Sequence, residues 1–318
     1  MSKDVGETRV GVELTHLDDP LFSDAGATKR NLIEYLDAVS DRMIPELEHR
    51  PLSVIRVHRG QEAFMQKNVP KYTPEWVPTV RIWAEASKRE VAYALCNDRR
   101  TLLWFGNQRA IEYHPALARA DRLDRITHLV LDLDPPEGSD FAMVARVERL
   151  VREVLDDLGL QGAVKTSGAK GLHVFVPIDD GAPPEGSAAA TRAIAARTER
   201  LDPTIATTAF IKDERHGKVF VDSTRVGGAT VIACFSPRVW PGVPVSYPVG
   251  WDDLEAVRPV DFTIHTALER LGNTNPWATQ MVAPQHLSAE LIAEGQDIPA
   301  GRVQAMHEGK RRARARRT

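Results

Sequence analysis

The sequence predicts an α/β (α+β) protein with mixed or antiparallel sheets flanked by helices. Strand-like runs such as "HLVLDLD", "LHVFVPI" and "KVFVDS" are bounded by Pro, Gly and Asp. Single amphipathic helices separate groups of such strands. The regular strand–helix alternation of a doubly wound sheet is missing.

Taken in order, "ATKRNLIEYLDAVSDRMIPEL" places Leu32, Leu36, Val39, Met43 and Leu47 at helical spacing, with Pro45 near its end. "HRP" follows as a turn, "LSVIRVH" and "TVRIWA" read as strands, and "KREVAYALCNDR" reads as a helix. "ITHLVLDLD" is a strand, and "DFAMVARVERLVREVLDDLG" is an amphipathic helix closed by Gly159. "GAVKTSG" and "LHVFVPI" are strands joined by a glycine loop, and the alanine-rich "SAAATRAIAARTERL" is helical. "KVFVDS" and "ATVIACFS" read as strands paired around the "TRVGG" turn, and a final helix is expected in "DFTIHTALERLG". From Pro276 onward the patterning weakens, as expected of a segment wrapping the body. The expected organisation is a catalytic domain of two interlocked α/β subdomains over 1–285, a C-terminal extension over 286–301 and a basic tail over 302–318.

A chain of 318 residues with 42% apolar residues can bury a sizeable core. No apolar run reaches the roughly 18–20 residues of a membrane span, and the start lacks the layout of a secretory signal. Cys96 and Cys234 fit no zinc spacing and read as reduced thiols. The expected location is cytoplasmic and nucleoid-associated, without a membrane partner. The net charge of −3 hides an asymmetry: 302–318 carries seven Lys or Arg and one Glu, net +6, against −9 elsewhere. An acidic body with a basic tail suits central metal binding and peripheral phosphate contact.

The strongest chemical signal is Asp132-Leu133-Asp134. Residues i and i+2 of a strand face the same side, so two carboxylates share one face, and Asp222 can add a third from a neighbouring strand. Carboxylate oxygens suit Mn²⁺ or Mg²⁺. Two such ions about 3.5–4 Å apart are a standard device for nucleotidyl transfer. The second signal is the loop Ser167-Gly168-Ala169-Lys170-Gly171 with His173 on the following strand. Its glycines permit an anion-binding nest, and Ser167, Lys170 and His173 add donors suited to a triphosphate. The loop is not a Walker A motif. His114 in "IEYHP" and Phe64 in "EAFMQKN" would be undistinguished alone.

Taken together, "ATKRNLIEYL", "HRP", "AFMQKN", "IEYHP", "LVLDLDPPEG", "TSGAKGLHVFVPI", "HGKVFVDSTR" and "ACFSPR" resemble the bacterial polymerase domain of ligase D, within the archaeo-eukaryotic primase superfamily. The resemblance runs from about Leu14 to Gly272. No KxDG adenylation motif occurs, so the chain is expected to lack the ligase module and to be similar to the stand-alone primase-polymerases. The resemblance implies an archaeo-eukaryotic primase-like core and two divalent ions, Mn²⁺ or Mg²⁺, on Asp132, Asp134 and Asp222. It implies NTP or dNTP held by Ser167, Lys170 and His173 with His114 and Arg238. DNA contacts are implied at Lys29, Phe64, Met65, Lys67 and Arg215.

The implied function is a primase-polymerase that extends a primer 3′-OH at short gaps or breaks carrying a downstream 5′-phosphate. It would act in excision repair beside a separate DNA ligase and other repair proteins. End joining at double-strand breaks is the alternative within the polymerase class. A metal-dependent nuclease and a noncatalytic DNA-end bridging protein are the alternatives outside it. Three positions depart from the family pattern. Asp19 stands where a lysine is usual and would repel a 5′-phosphate. Met65 replaces a second phenylalanine and offers no stacking plane. Arg225 replaces a glutamine.

Overall fold

The computed structural model describes residues 7–84, 88–226 and 230–300. The basic tail over 302–318 lies outside them. The chain opens with a hairpin of β1 (Glu7–Arg9) and β2 (Val12–Leu14). It continues through α1 (Lys29–Leu47), β3 (Pro51–Arg56), β4 (Phe64–Gln66), β5 (Thr79–Ala84) and β6 (Arg89–Leu95). Then come α2 (Arg99–Asn107), β7 (Ala110–Pro115), β8 (His128–Asp134), α3 (Phe141–Asp157), β9 (Ala163–Thr166) and β10 (Leu172–Pro177). The last elements are α4 (Pro184–Leu201), β11 (Ala206–Thr207), β12 (Val219–Asp222), β13 (Pro248–Val249), α5 (Ala267–Leu271), α6 (Pro276–Gln280) and α7 (Ala289–Gln296).

Two sheets organise the molecule, giving the mixed α+β architecture expected. One has the order β11-β12-β8-β10-β9-β13 and is antiparallel except between β11 and β12. The other has the order β4-β3-β6-β5, with β7 paired to β3. β8 is apolar and buried because both its neighbours and the helices α3 and α4 cover it. In α1 the Thr28 side chain accepts from the Asn31 amide and the Asn31 side chain reciprocates, a capping box that fixes the helix start. Leu32, Leu36, Val39, Met43 and Leu47 form its buried stripe, as their spacing predicts.

Three expectations are corrected. The segment 88–99 is not a helix: Arg89–Leu95 pairs antiparallel with β5, and helix begins only at Arg99, after the Asp98 cap. Pairing with β5 overrides the helix propensity of its Ala, Glu and Leu residues. The described part of "ATVIACFS" does not pair with β12. Thr230 bridges Ala116, and the amides of Val231 and Ala233 donate to the carbonyls of Pro115 and Tyr113. This segment therefore follows β7 and ties the two sheets together. The expected helix over 261–272 is confined to Ala267–Leu271 and is not the last, since α6 and α7 follow.

Helix α7 packs against α4. Arg197 on α4 pairs with Glu294 on α7 at 2.7 Å, and the Arg192 guanidinium donates to the Gly295 carbonyl. Cys96 and Cys234 are free thiols, both buried. Among the described residues no helix is long and apolar enough to cross a membrane.

Glu148 sits inside the buried face of α3, and neither carboxyl oxygen finds a hydrogen-bond partner among the described residues. Burial raises its pKa to about 8. In the unfolded chain it ionises near 4.5, so between those values ionisation favours the unfolded state and stability falls as pH rises. At about 1.4 kcal/mol per pKa unit, the penalty at pH 7 is roughly 3 kcal/mol. Glu148→Gln is therefore expected to raise the melting temperature at pH 8 and to leave it nearly unchanged at pH 4.5. Thermal unfolding at the two pH values measures this, and an equal effect at both would refute it.

Candidate active site

Strand register assembles the site. Asp132 on β8 lies directly opposite Asp222 on β12 and directly opposite His173 on β10. His173 in turn lies opposite Lys165 on β9. Directly opposed residues share a face, so Asp222, Asp132, His173 and Lys165 form one rung across four strands. Asp134 projects from the same side, two residues further along β8.

The rung is bonded end to end. The buried Lys165 ammonium donates to His173 Nδ1 at 2.9 Å and to Ser246 Oγ at 2.6 Å. The ring proton therefore sits on Nε2, which lies 3.2 Å from Asp132 Oδ1. Arg225, just beyond β12, places Nη2 2.6 Å and Nε 2.9 Å from Asp132 Oδ2, and Nε 3.5 Å from Asp222 Oδ2. The Thr224 amide donates to Asp222 Oδ1 at 2.7 Å.

These contacts set the charges. Burial opposes ionisation of Asp132, but His173 and Arg225 outweigh it and hold its carboxyl well below the usual carboxylate range. Burial, then the Lys165 charge, pushes His173 down to about 4. At neutral pH the ring is uncharged, so His173 gives Asp132 a hydrogen bond and Arg225 gives it a positive charge. Burial, then repulsion from Asp132, raises Asp134 to about 7, and Asp222 adds to the effect while Arg225 opposes it. Burial lowers Lys165 to about 7.

Among the described residues no three His, Cys, Asp or Glu side chains are gathered into a ready-made metal cage. The donor chemistry still fits a hard divalent ion. The carboxylates of Asp132 and Asp222 already share one cation, the Arg225 guanidinium, and Asp134 adds a third carboxyl on the same strand face.

A cavity of about 400 Å³ opens over the rung, with His114, Asp132, Asp134, Ser167, Lys170, His173 and Arg238 in its lining. That volume suits one nucleotide. Ser167 Oγ accepts from the Ala169 and Gly171 amides, so those two N–H groups hold the loop itself rather than form an anion nest. Its glycines serve close packing: a Cβ on Gly168, at φ +72°, would meet Arg238 Cγ at 2.6 Å, and one on Gly171 would meet the Leu133 carbonyl at 2.2 Å. Lys170 stands exposed at the rim, its ammonium 5.8 Å from the Trp240 ring centroid.

The residues expected at DNA lie outside this cavity. Phe64 and Met65 are exposed on β4, and Lys67 is exposed beside them. Lys29, by contrast, is only 3% exposed, and its ammonium donates to the Thr15 carbonyl at 2.6 Å. Burial lowers it to about 8. Arg215 bonds the Ala209 and Phe210 carbonyls and lies 3.8 Å from the Phe220 ring centroid. Asp19 lies 4.0 Å from Arg59.

Sequence reasoning missed two residues. Lys165 was hidden inside an apolar strand. Glu112 was legible in "IEYHP" as the i−2 neighbour of His114 on one strand face. Its buried carboxylate accepts from His114 at 2.8 Å, from Arg238 at 3.2 Å and from the Val239 amide at 2.9 Å. Burial opposes its ionisation, yet these partners hold it below its ordinary value.

A family model described as "LigD, primase-polymerase domain" matches residues 28–277. The bifunctional non-homologous end joining protein LigD of Bacillus subtilis (strain 168) is 32% identical over 265 residues, covering 82% of this chain and 42% of that protein. The multifunctional non-homologous end joining DNA repair protein LigD of Mycobacterium tuberculosis (strain H37Rv) is 32% identical over 255 residues, covering 77% of this chain and 33% of that protein. The chain thus spans less than half the length of these relatives. A solved structure, the polymerase domain from Mycobacterium tuberculosis ligase D in complex with DNA, superposes with a TM-score of 0.76 at 31% identity, covering 91% of this chain and 99% of that one.

If Glu112 orients the nucleotide pocket, Glu112→Gln keeps only one acceptor oxygen and no charge, so it cannot hold His114 and Arg238 together. Triphosphate affinity is then expected to fall on the order of tenfold, about 1.4 kcal/mol. Isothermal titration of a triphosphate into the folded variant measures it, and unchanged affinity would remove Glu112 from the site.

Proposed function

Because this chain belongs to the LigD primase-polymerase family, we propose that it extends a primer 3′-hydroxyl at short gaps or breaks in DNA, using NTPs or dNTPs, in repair. As a member of that family it is a nucleotidyltransferase of the primase-polymerase type. The observation that carries the proposal is the carboxylate rung beside a nucleotide-sized cavity whose lining also includes Lys170, Arg225 and Arg238.

Asp132, Asp134 and Asp222 would hold two divalent ions, Mn²⁺ or Mg²⁺. Such ions supply charge neutralisation at the phosphates and lower the pKa of a bound hydroxyl. His173, fixed by Lys165, keeps Asp132 in one orientation. Lys170 and Arg238 neutralise the incoming triphosphate, and Glu112 holds Arg238 in place. Ser167 adds a hydroxyl donor along the cavity wall, and His114, its ring held by Glu112, lines the wall as a nucleotide contact. Catalysis then rests on positioning and electrostatics.

On the DNA side, Phe64 stacks on a template base, Met65 packs beside it and Lys67 meets a phosphate. Arg215, whose charge reaches Asp134, lies toward the primer–template. Lys29 has its ammonium committed to Thr15, and Asp19 puts an anion nearby. This supports a weakened hold on a downstream 5′-phosphate and favours gap filling over end joining, although the relatives are named for end joining. Gap filling leaves a nick, so a separate DNA ligase is the implied partner.

Labelled primer on gapped DNA is expected to be extended with Mn²⁺ and NTPs or dNTPs, and with little dependence on the 5′-phosphate. Asp132→Ala with Asp134→Ala is expected to abolish extension while the protein stays folded. Persistent extension by that variant would refute the site. Primer degradation without nucleotide would support a nuclease, and gap binding with no incorporation would support a bridging protein.

A further inference from the structure

Arg225 is the one cation in direct contact with the carboxylate rung among the described residues. It follows β12 in the short helical turn Thr224–Val226, which aims its side chain back over the strand. The oxygens it holds are decisive. Asp132 Oδ1 is taken by His173, and Asp222 Oδ1 by the Thr224 amide. The two Oδ2 atoms are both held by Arg225, that of Asp132 at 2.6 Å and that of Asp222 at 3.5 Å.

The arrangement has a physical cause. The Asp132 and Asp222 side chains are each 7% exposed. Two neighbouring carboxylates with so little solvent need a cation. The guanidinium supplies it and stays one-third exposed, 35%, at the mouth of the cavity. A divalent ion held by these two carboxylates would draw on the same oxygens. The guanidinium and an ion on those oxygens would overlap and repel one another.

The geometry points to Arg225 as a tethered competitor for the metal site: an incoming divalent ion must displace it from the Oδ2 atoms, and the triphosphate receives it. The receiving position is at hand, because Arg225 lines the same cavity as Ser167, Lys170 and Arg238. Ion and triphosphate binding are thereby coupled, since the ion is admitted more readily when an anion draws the guanidinium away. By linkage the coupling is reciprocal. A residue that only buttressed the fold would behave differently, because removing it would loosen the carboxylates and weaken metal binding. The inference rests on the carboxylate rung being a divalent-ion site.

The test is Mn²⁺ titration of the metal-free 318-residue chain, following free Mn²⁺ by electron paramagnetic resonance, with no DNA and no turnover. Arg225→Gln is expected to bind Mn²⁺ on the order of tenfold more tightly than the parent chain. A non-hydrolysable triphosphate is expected to tighten Mn²⁺ binding more in the parent than in Arg225→Gln. Arg225→Lys keeps the charge but lacks the planar fork and holds the two carboxylates less firmly, so it is expected to shift affinity in the same direction by less, and it carries the test if Arg225→Gln does not fold. Equal or weaker Mn²⁺ binding by the folded variants, with clear binding by the parent, would overturn the role of Arg225 and leave the metal site standing. Parent binding no better than that of Asp132→Ala with Asp134→Ala would overturn the metal site and the role of Arg225 with it.

Discussion

Asp222, Asp132, His173 and Lys165 share one rung of the sheet, and the register that aligns them is the constraint on which the site depends. A one-residue slip of β8 against either neighbour would turn Asp132 to the opposite face of the sheet. That slip is blocked by the apolar residues between the acids. Leu131 and Leu133 are fully buried and would be forced toward the polar cavity. The alternation of carboxylate and leucine along β8 therefore specifies the fold and the chemistry together.

Charge along the rung is graded. Two carboxylates sit at one end, an uncharged imidazole in the middle and a buried lysine at the other end. None would be stable there alone. Lys165 is anchored by His173 and Ser246, Asp132 by His173 and Arg225, and Glu112 performs the same service for His114 and Arg238 on the facing sheet. The segment from Thr230 to Ala233, hydrogen-bonded along β7, contributes to the cavity wall between the two sheets. Site geometry and inter-sheet packing are thus held by the same elements.

Much of this was legible in the sequence, for identifiable reasons. The stripe of α1, the helix α3 closed by Gly159 and the strand "HLVLDLD" carry strong periodic signals, and the DxD spacing places Asp132 and Asp134 by geometry alone. The "REVAYAL" strand was misread because its composition is helical and its pairing partner is not local. The "ATVIACFS" run reads as a partner of β12 by proximity in sequence, whereas the amides of Val231 and Ala233 donate to β7, more than a hundred residues earlier in the chain. Lys165 gave no signal, because a buried lysine looks like an exposed one in sequence. Lys29 shows the converse: its expected place at DNA came from family resemblance, while its burial follows from packing under the Thr15 carbonyl. Arg225 stood out only as a departure from the family pattern, and its contact with two carboxylates gives that departure a physical meaning.

The central claim is that the carboxylates of β8 and β12 form a divalent-ion site beneath the nucleotide cavity. Anomalous diffraction from crystals of the protein with gapped DNA, a non-hydrolysable nucleotide and Mn²⁺ tests it most directly. The account predicts manganese peaks bounded by Asp132, Asp134 and Asp222, with the triphosphate against Lys170 and Arg238. Manganese elsewhere, with these three carboxylates free of it, would contradict the account.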